Sequence, residues 1–292
     1  MQIYPSWIKI YKPSKIERLR IEKISKDIAD LNLHTICYEA LCPNRFECLS
    51  HGVATFLILG NICTRSCKFC YVKKGITKRI DRDEPKKVAN IVKKLNLSYV
   101  VITCVTRDDL KDSGASVFVN VVKEIRKSSP NCKIELLISD LNGNYKALEK
   151  IVKANPDVLG HNIDIVRRLH KKIKPNSSYT TSINLLRKIK EISPGIKTKS
   201  GLMLGLGENK EDILKTIKDI KQAGVDFLTI GQYIPPSEKH ARVEKFYTLK
   251  EFKELEKVAY KIGFEYVLAS PLTRSSYRAD KLILKLRSNP SL

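Results

Sequence analysis

The sequence predicts an α/β protein, a partial and laterally open parallel barrel of the TIM-like (β/α)6 type with an extension at each end. Two observations carry that prediction. From residue 54 onward, short apolar runs alternate with amphipathic helical patterns, and strand followed by helix, repeated, is the mark of a parallel sheet. The repeat occurs about six times, short of the eight units that close a barrel. The extensions are residues 1–52 and 271–292, and the barrel is 53–270.

Residues 14–31 open with Ser14 and Glu17 at capping-box spacing, so each side chain can satisfy an amide of the first turn. Ile21, Ile24, Ile28 and Leu31 then fall on one face, which predicts an amphipathic helix. The next stretch, TICYEALCPNRFECLSHG, is rich in turn formers and has no clear period. It is expected to be an irregular loop held by something it binds. The six predicted strands are ATFLILG, SYVVITC, KIELLIS, DVLGHN, TKSGLML and DFLTIG. Between them lie helical patterns such as Val88, Ile91, Val92 and Leu95, and Ile213, Ile217 and Ile220. A second capping pair, Thr248 and Glu251, opens a helix over 248–262. The Lys-rich tail after about residue 280 is expected to fray.

A chain of 292 residues with 42% hydrophobic content can bury one sizeable core. Its opening, MQIYPSWIKI, lacks the apolar stretch of a secretion signal, and no segment approaches the roughly 18 to 20 apolar residues of a spanning helix. A cytoplasmic location with no membrane partner is the expectation. The formal charge of +23 fits three surfaces: a solvated lysine-rich one, one that meets an acidic protein, and one that binds nucleic acid. Lysines scattered over helix faces, as in KKVANIVKKL, favour the first. Without an RNA-recognition signature or a compact basic arm, nucleic acid is not expected as a partner.

Six of the eight cysteines stand in two triads, Cys37, Cys42 and Cys48 spaced C-x4-C-x5-C, then Cys63, Cys67 and Cys70 spaced C-x3-C-x2-C. In a reducing compartment such sets read as metal ligands rather than disulfides. Structural zinc, with His51 nearby, is one reading, although it normally needs four ligands. An iron-sulfur cubane is the other, with three thiolates leaving one iron open. The second triad lies after the first predicted strand, where loops at strand carboxyl ends build active sites.

C-x3-C-x2-C, with the aromatic Phe69 before its last cysteine, resembles the radical S-adenosylmethionine superfamily, in which the cofactor's amino and carboxylate groups fill the open iron site. GLMLGLGE, from Gly201 through Gly205 to Glu208, fits that superfamily's G-x-x-x-G-x-x-E pattern beside the adenosine. Alone it reads as a strand-to-helix turn. Adding C-x4-C-x5-C upstream, TRDDL at 106–110, TKSGLMLGLGE at 198–208, LTIGQY at 228–233 and RSSY at 274–277, the chain resembles the lipoyl synthase family from about residue 35 to 280.

The resemblance implies two [4Fe-4S] clusters and S-adenosyl-L-methionine. The radical cluster would rest on Cys63, Cys67 and Cys70, and the auxiliary cluster on Cys37, Cys42, Cys48 and Ser276. An adenosyl radical would remove hydrogen from C6 and C8 of an octanoyl chain on a carrier-domain lysine, and the auxiliary cluster would give up sulfide to those carbons. A labile hydroxyl ligand suits a cluster that must come apart. The implied partners are octanoylated lipoyl-carrier domains and an electron donor such as a flavodoxin or ferredoxin. Without the resemblance, Ser275 and Ser276 read as a polar turn or helix cap. Arg274 and Tyr277 read as supports of that loop.

Candidate contacts to S-adenosylmethionine are Phe69, Asp109, Asn162, Asp164, Lys199, Gly205 and Glu208. Asp108 and Asp109 end the second strand, where they could accept an ammonium or cap the next helix. GHNID at 160–164 departs from the family's Asn-His-Asn-Ile-Glu at Gly160 and Asp164, and His161 reads as a packed histidine. Lys199 is an inward lysine suited to a carboxylate. Tyr71 replaces a small or acidic residue. Cys104 reads as a buried small hydrophobe and Cys132 as an incidental thiol. Two rivals remain: another radical sulfur-inserting or methylthiolating enzyme, RNA being one substrate for it, and a non-catalytic iron-sulfur or zinc protein that uses its charge to bind nucleic acid.

Overall fold

A computed structural model of the chain describes residues 4–51 and 53–279. In chain order the elements are α1 (Lys15–Asp30), β1 (His34–Thr35), α2 (Ile36–Glu39), α3 (Arg45–Ser50), β2 (Thr55–Ile58), β3 (Ile62–Cys63) and β4 (Lys73–Lys74). There follow α4 (Glu84–Lys94), β5 (Tyr99–Cys104), α5 (Ala115–Ser128), β6 (Lys133–Leu137), α6 (Tyr145–Lys153), β7 (Val158–Gly160), α7 (Arg167–Ile173) and α8 (Tyr179–Ile192). The last are β8 (Lys197–Leu204), α9 (Lys210–Gln222), β9 (Phe227–Gln232), α10 (Leu249–Ile262) and β10 (Tyr266–Ala269).

The main sheet runs β1-β2-β5-β6-β7-β8-β9-β10. It is parallel throughout except for the two-residue β1, which is antiparallel to β2. The six predicted strands are β2, β5, β6, β7, β8 and β9, and the sheet carries a further parallel strand, β10, on β9. Its four residues, Tyr266 to Ala269, form a short apolar run of which only Val267 is fully buried. Register aligns the carboxyl ends at one rim: Ile58 faces Cys104, Thr103 faces Leu137, Leu137 faces Gly160, and Leu204 faces Gln232.

Helix α1 begins and packs as predicted, with both arms of the Ser14–Glu17 box formed and Ile21, Ile24 and Ile28 buried. The Thr248–Glu251 box opens α10, and a third, Asn209 with Asp212, opens α9. The stretch expected to be irregular contains α2 and α3, of four and six residues. Each spans under two turns, too short for a 3.6-residue period to show. Side chains alternate along a strand, so Tyr99, Val101 and Thr103 share one face of β5, and Lys199, Gly201 and Met203 share one face of β8. Those faces look into the barrel. The opposite faces, with Phe56, Ile102, Ile134 and Ile230 fully buried, form the core against the helices. The tail after residue 280 lies outside the described residues. No helix among the described residues is long and apolar enough to cross a membrane.

Candidate active site

A cavity of about 540 Å³ opens at the rim where the strands end, with Thr103, Leu137 and Met203 from the inner face among its lining residues. Into it project Cys37, Cys42 and Cys48 from the first extension, Phe69 and Cys70 from the loop after β3, Asn162 from beyond β7, and Arg274 to Tyr277. Residues separated by up to about 240 positions in sequence thus share one space.

The first triad is built by short local bonds. Cys42 N donates to Cys37 O at 3.0 Å, and Cys48 N donates to Asn44 O at 2.9 Å. The RSSY segment is tied across it, with Tyr277 OH donating to Glu47 Oε1 at 2.9 Å and Asn44 Nδ2 donating to the Leu272 carbonyl. Burial, with the charge of neighbouring thiolates added, pushes Cys37 and Cys48 each up to about 12. Left bare at neutral pH, these thiols keep their protons. Only a strongly cationic group can draw three thiolates into so enclosed a place.

The second triad runs from Cys63, the last residue of β3, into the loop that follows. Burial pushes Cys70 up to about 12, with Cys67 and Cys63 adding to the rise, and burial raises Cys67 against the lowering effect of the Lys174 ammonium. The loop is stitched down at both ends, by Thr64 N to Thr106 O at 3.0 Å, Lys68 N to Ile173 O at 2.9 Å and Ala241 N to Lys68 O at 2.9 Å. Among the described residues, no group of three or more His, Cys, Asp or Glu is disposed to hold a single metal ion. A cubane presents three separate irons to three thiolates and makes no such demand for convergence on one point. The His51 ring, the nearby candidate for zinc, turns back to its own helix, bonding Glu47 O at 2.8 Å and Ser50 Oγ at 3.2 Å. Two sets of three buried or half-buried thiols fit two clusters.

The expected cofactor contacts divide. Phe69 and Asn162 line the cavity, Asn162 Oδ1 accepting from Ser275 Oγ at 2.8 Å. Asp164, at φ +64°, accepts from the Lys174 ammonium at 2.9 Å beside the Cys67 loop. Asp109 is chelated by Arg107 at 2.8 and 2.9 Å and capped by Thr77 at 2.9 Å. Arg107 holds its carboxyl at about 2. Gly205 and Glu208 form a turn in which the carboxylate accepts the amides of Gly205 and Leu206 at 2.6 and 2.9 Å.

Lys199, expected at the cofactor, is paired within the chain itself. It points inward, but its ammonium is committed to Glu135 at 2.9 and 3.0 Å, and Tyr99 OH adds a bond of 2.6 Å to the same carboxylate. Lys199 lies four residues below the cavity-lining Met203 along β8, about 13 Å at a strand's rise. His161 is a packed histidine, bonded to Ile138 O and Ser182 Oγ at 2.9 Å each. Cys132 is buried in the core. Cys104, pushed to about 12 by burial, ends β5 near Cys63 and Arg65. Tyr71 is exposed and lies against the His240 ring at 5.8 Å.

Three residues at this site escaped sequence reasoning: Arg65, Asp140 and Lys174. Arg65 sits inside the C-x3-C motif, where the spacing leaves its identity free, and its partners are 43 and 75 residues away. Nothing local marks such a triad.

The family model described as the Radical SAM superfamily matches residues 57–220, over half the chain. A lipoyl synthase of Caldicellulosiruptor saccharolyticus is 48% identical over 277 residues, 95% of this chain and 96% of the relative. A lipoyl synthase of Buchnera aphidicola is 50% identical over 281 residues, 96% of this chain and 90% of the relative. The chain belongs to the lipoyl synthase family. The activity that goes with membership is that of a radical, sulfur-inserting enzyme. Among solved structures, methylornithine synthase aligns with a TM-score of 0.54 at 15% identity, covering 96% of this chain and 90% of its own. A maturase of the [FeFe]-hydrogenase aligns with a TM-score of 0.57 at 13% identity, covering 92% and 77%. At such identities the likeness concerns the fold, and the partial barrel of this lipoyl synthase family member is the fold they share.

Proposed function

We propose that this chain inserts two sulfur atoms, at C6 and C8, into an octanoyl chain amide-linked to a lysine of a lipoyl-carrier domain. The observation that carries the reading is the shared cavity: the first cysteine triad and Ser276 face the same space as Phe69 and Cys70 of the second triad. In this reading Cys63, Cys67 and Cys70 hold the radical cluster, and Cys37, Cys42, Cys48 and Ser276 hold an auxiliary one. Bound there, one cluster with S-adenosylmethionine supplies the radical that removes hydrogen, and the other supplies sulfur.

The chain's own residues have defined tasks. The apolar lining of Ile36, Phe69, Leu137 and Met203 receives an alkyl chain and keeps water from it. Asn162, held by Ser275, offers its amide NH2 to polar atoms of the cofactor. Arg274, whose cation burial disfavours, is nearest in charge to Cys42 and donates to Thr273 O at 2.7 Å, fixing the backbone that carries Ser276. Glu208 shapes the adenosine side through the turn rather than by direct contact. Residues 1–52 and 271–292 act together as the auxiliary-cluster module on a barrel of 53–270. The +23 charge steers an acidic carrier toward the rim, and a small reduced flavodoxin or ferredoxin of the cytoplasm delivers electrons.

Anaerobically reconstituted protein, given reductant, S-adenosylmethionine and an octanoylated carrier, is expected to yield the dithiolated carrier by mass spectrometry. Cys42→Ala is expected to cleave S-adenosylmethionine while inserting no sulfur. A Cys42→Ala protein that lost cleavage with its second cluster intact would overturn the division of labour.

A further inference from the structure

We propose that Arg65 is a positioning residue, a buried clamp that shapes the C-x3-C-x2-C loop before any cluster is bound. The inference rests on the reading that this loop holds a cluster. Arg65 lies between Cys63 and Cys67 and is 6% exposed. Its guanidinium makes two bidentate pairs: Nε and Nη2 donate to Asp108 at 2.8 Å each, and Nη1 and Nη2 donate to Asp140 at 2.7 Å each. Asp108 follows β5 and Asp140 follows β6, so one side chain fastens the loop to two neighbouring strand ends.

The clamp is itself braced. Asp140 Oδ1 accepts from Asn142 N at 3.0 Å, and Asp108 Oδ2 accepts from Thr64 Oγ1 at 3.2 Å. At its centre the backbone amide of Arg65 donates to Cys63 Sγ at 3.5 Å. The orientation of the guanidinium therefore sets the orientation of an amide on the first thiol of the motif.

Charge does not explain this arrangement. One arginine with two aspartates carries a net negative charge, the wrong sign to attract thiolates. Nor does stability explain it well, since desolvating the buried Arg65–Asp140 pair costs about what its pairing returns and apolar replacements are often neutral. What a planar fork bonded on both edges does supply is a fixed angle, which a lysine's point charge cannot reproduce. Partners standing behind metal ligands change metal affinity by about 10 to 100-fold when removed.

The test uses Arg65→Lys, Arg65→Met and Asp108→Asn in the full chain, with two measurements. The first maps alkylation of all cysteines in the apoprotein by peptide mass spectrometry. The second follows iron loss to a chelator after anaerobic reconstitution. With Arg65→Met and Arg65→Lys, Cys63, Cys67 and Cys70 are expected to alkylate about tenfold faster while Cys37, Cys42 and Cys48 keep their rates. Iron held by the loop is expected to leave about 10 to 100-fold faster. Asp108→Asn, which cuts one arm at its more exposed side, is expected to give a smaller change in the same three thiols.

Wild-type rates in Arg65→Lys would show that charge alone suffices and would overturn the proposal. So would equal acceleration at all six thiols in Arg65→Met, or no change in Asp108→Asn. Failure of the wild-type protein to take up about eight irons, as two cubanes require, would sink the functional reading instead. The apoprotein alkylation pattern would still judge the clamp.

Discussion

At Gly205 the backbone has φ +110°, and an added Cβ would stand 2.2 Å from Gln232 Nε2 and 2.7 Å from Lys245 O. Gln232 cannot yield, because its amide donates to Leu204 O, Tyr233 O and Lys245 O and accepts from Tyr247 N. Gly205→Ala is expected to destabilise the protein by roughly 3 kcal/mol. Two residues on, Gly207 at φ +100° meets only the flexible Glu244 side chain at 3.5 Å, so Gly207→Ala is expected to cost only about 1 to 2 kcal/mol for its backbone. Equal midpoints for the two variants in urea would contradict this account. Gly205 is legible as part of a motif with Glu208, and the turn they make is the strand-to-helix turn that the motif alone suggests. Lys199 shows the opposite case: its inward aim was legible, but its partner Glu135 lies 64 residues away on another strand. Lys199→Met leaves Glu135 charged and buried, an expected loss of about 3 to 5 kcal/mol, while Lys199→Met with Glu135→Leu is expected to recover most of it. A double variant no better than the single one would show that packing, not charge, is at stake.

Elements were legible where they are long and where a local bond starts them. Helices α1 and α10 each announce themselves by a capping box, since the bonds join residues three apart. Strands β5 and β8, of six and eight residues, each contain a run of five buried residues. The short pieces α2, α3 and β10 were not legible, because fewer than seven residues cannot display a helical period and four apolar residues alone do not distinguish a strand from a turn of helix. The misreading fell on the segment that carries the first triad, where function rather than propensity dictates the path. Capping energetics offer a test. In Thr248→Ala the residue-251 amide loses the 3.2 Å bond to the threonine hydroxyl, an expected cost of about 1 kcal/mol. Hydrogen exchange in the first turn of α10 should rise about fivefold, and unchanged exchange there would mean that packing of Phe252 alone holds the turn.

The whole molecule's response to acid turns on two buried histidines. Burial lowers His161 to about 4, and burial with the Lys174 ammonium lowers His170 to about 4. Both stay neutral in the folded protein at pH values where the unfolded chain, with histidines near 6.5, already binds protons. Because the unfolded state holds more protons between about 6.5 and 4, stability rises with pH across that window and falls on acidification. Asp140 behaves in the same sense but lower down. Burial would raise it, Arg65 outweighs that and leaves it at about 2, so its contribution is lost only as pH falls from near 4 to 2. The windows are separate enough to assign. From pH 7 to pH 5, each histidine is expected to cost the reduced, metal-free protein roughly 2 kcal/mol. His161→Gln, which has no charge to gain, should remove about half of that fall while leaving the loss below pH 4 in place. Urea midpoints at pH 7, 5 and 3.5 read both steps. An unfolding free energy flat between pH 7 and 5 would mean that the histidines are reached by water and that the packing of β7 against α8 through His161 and Ser182 is looser than the 2.9 Å bond between them indicates.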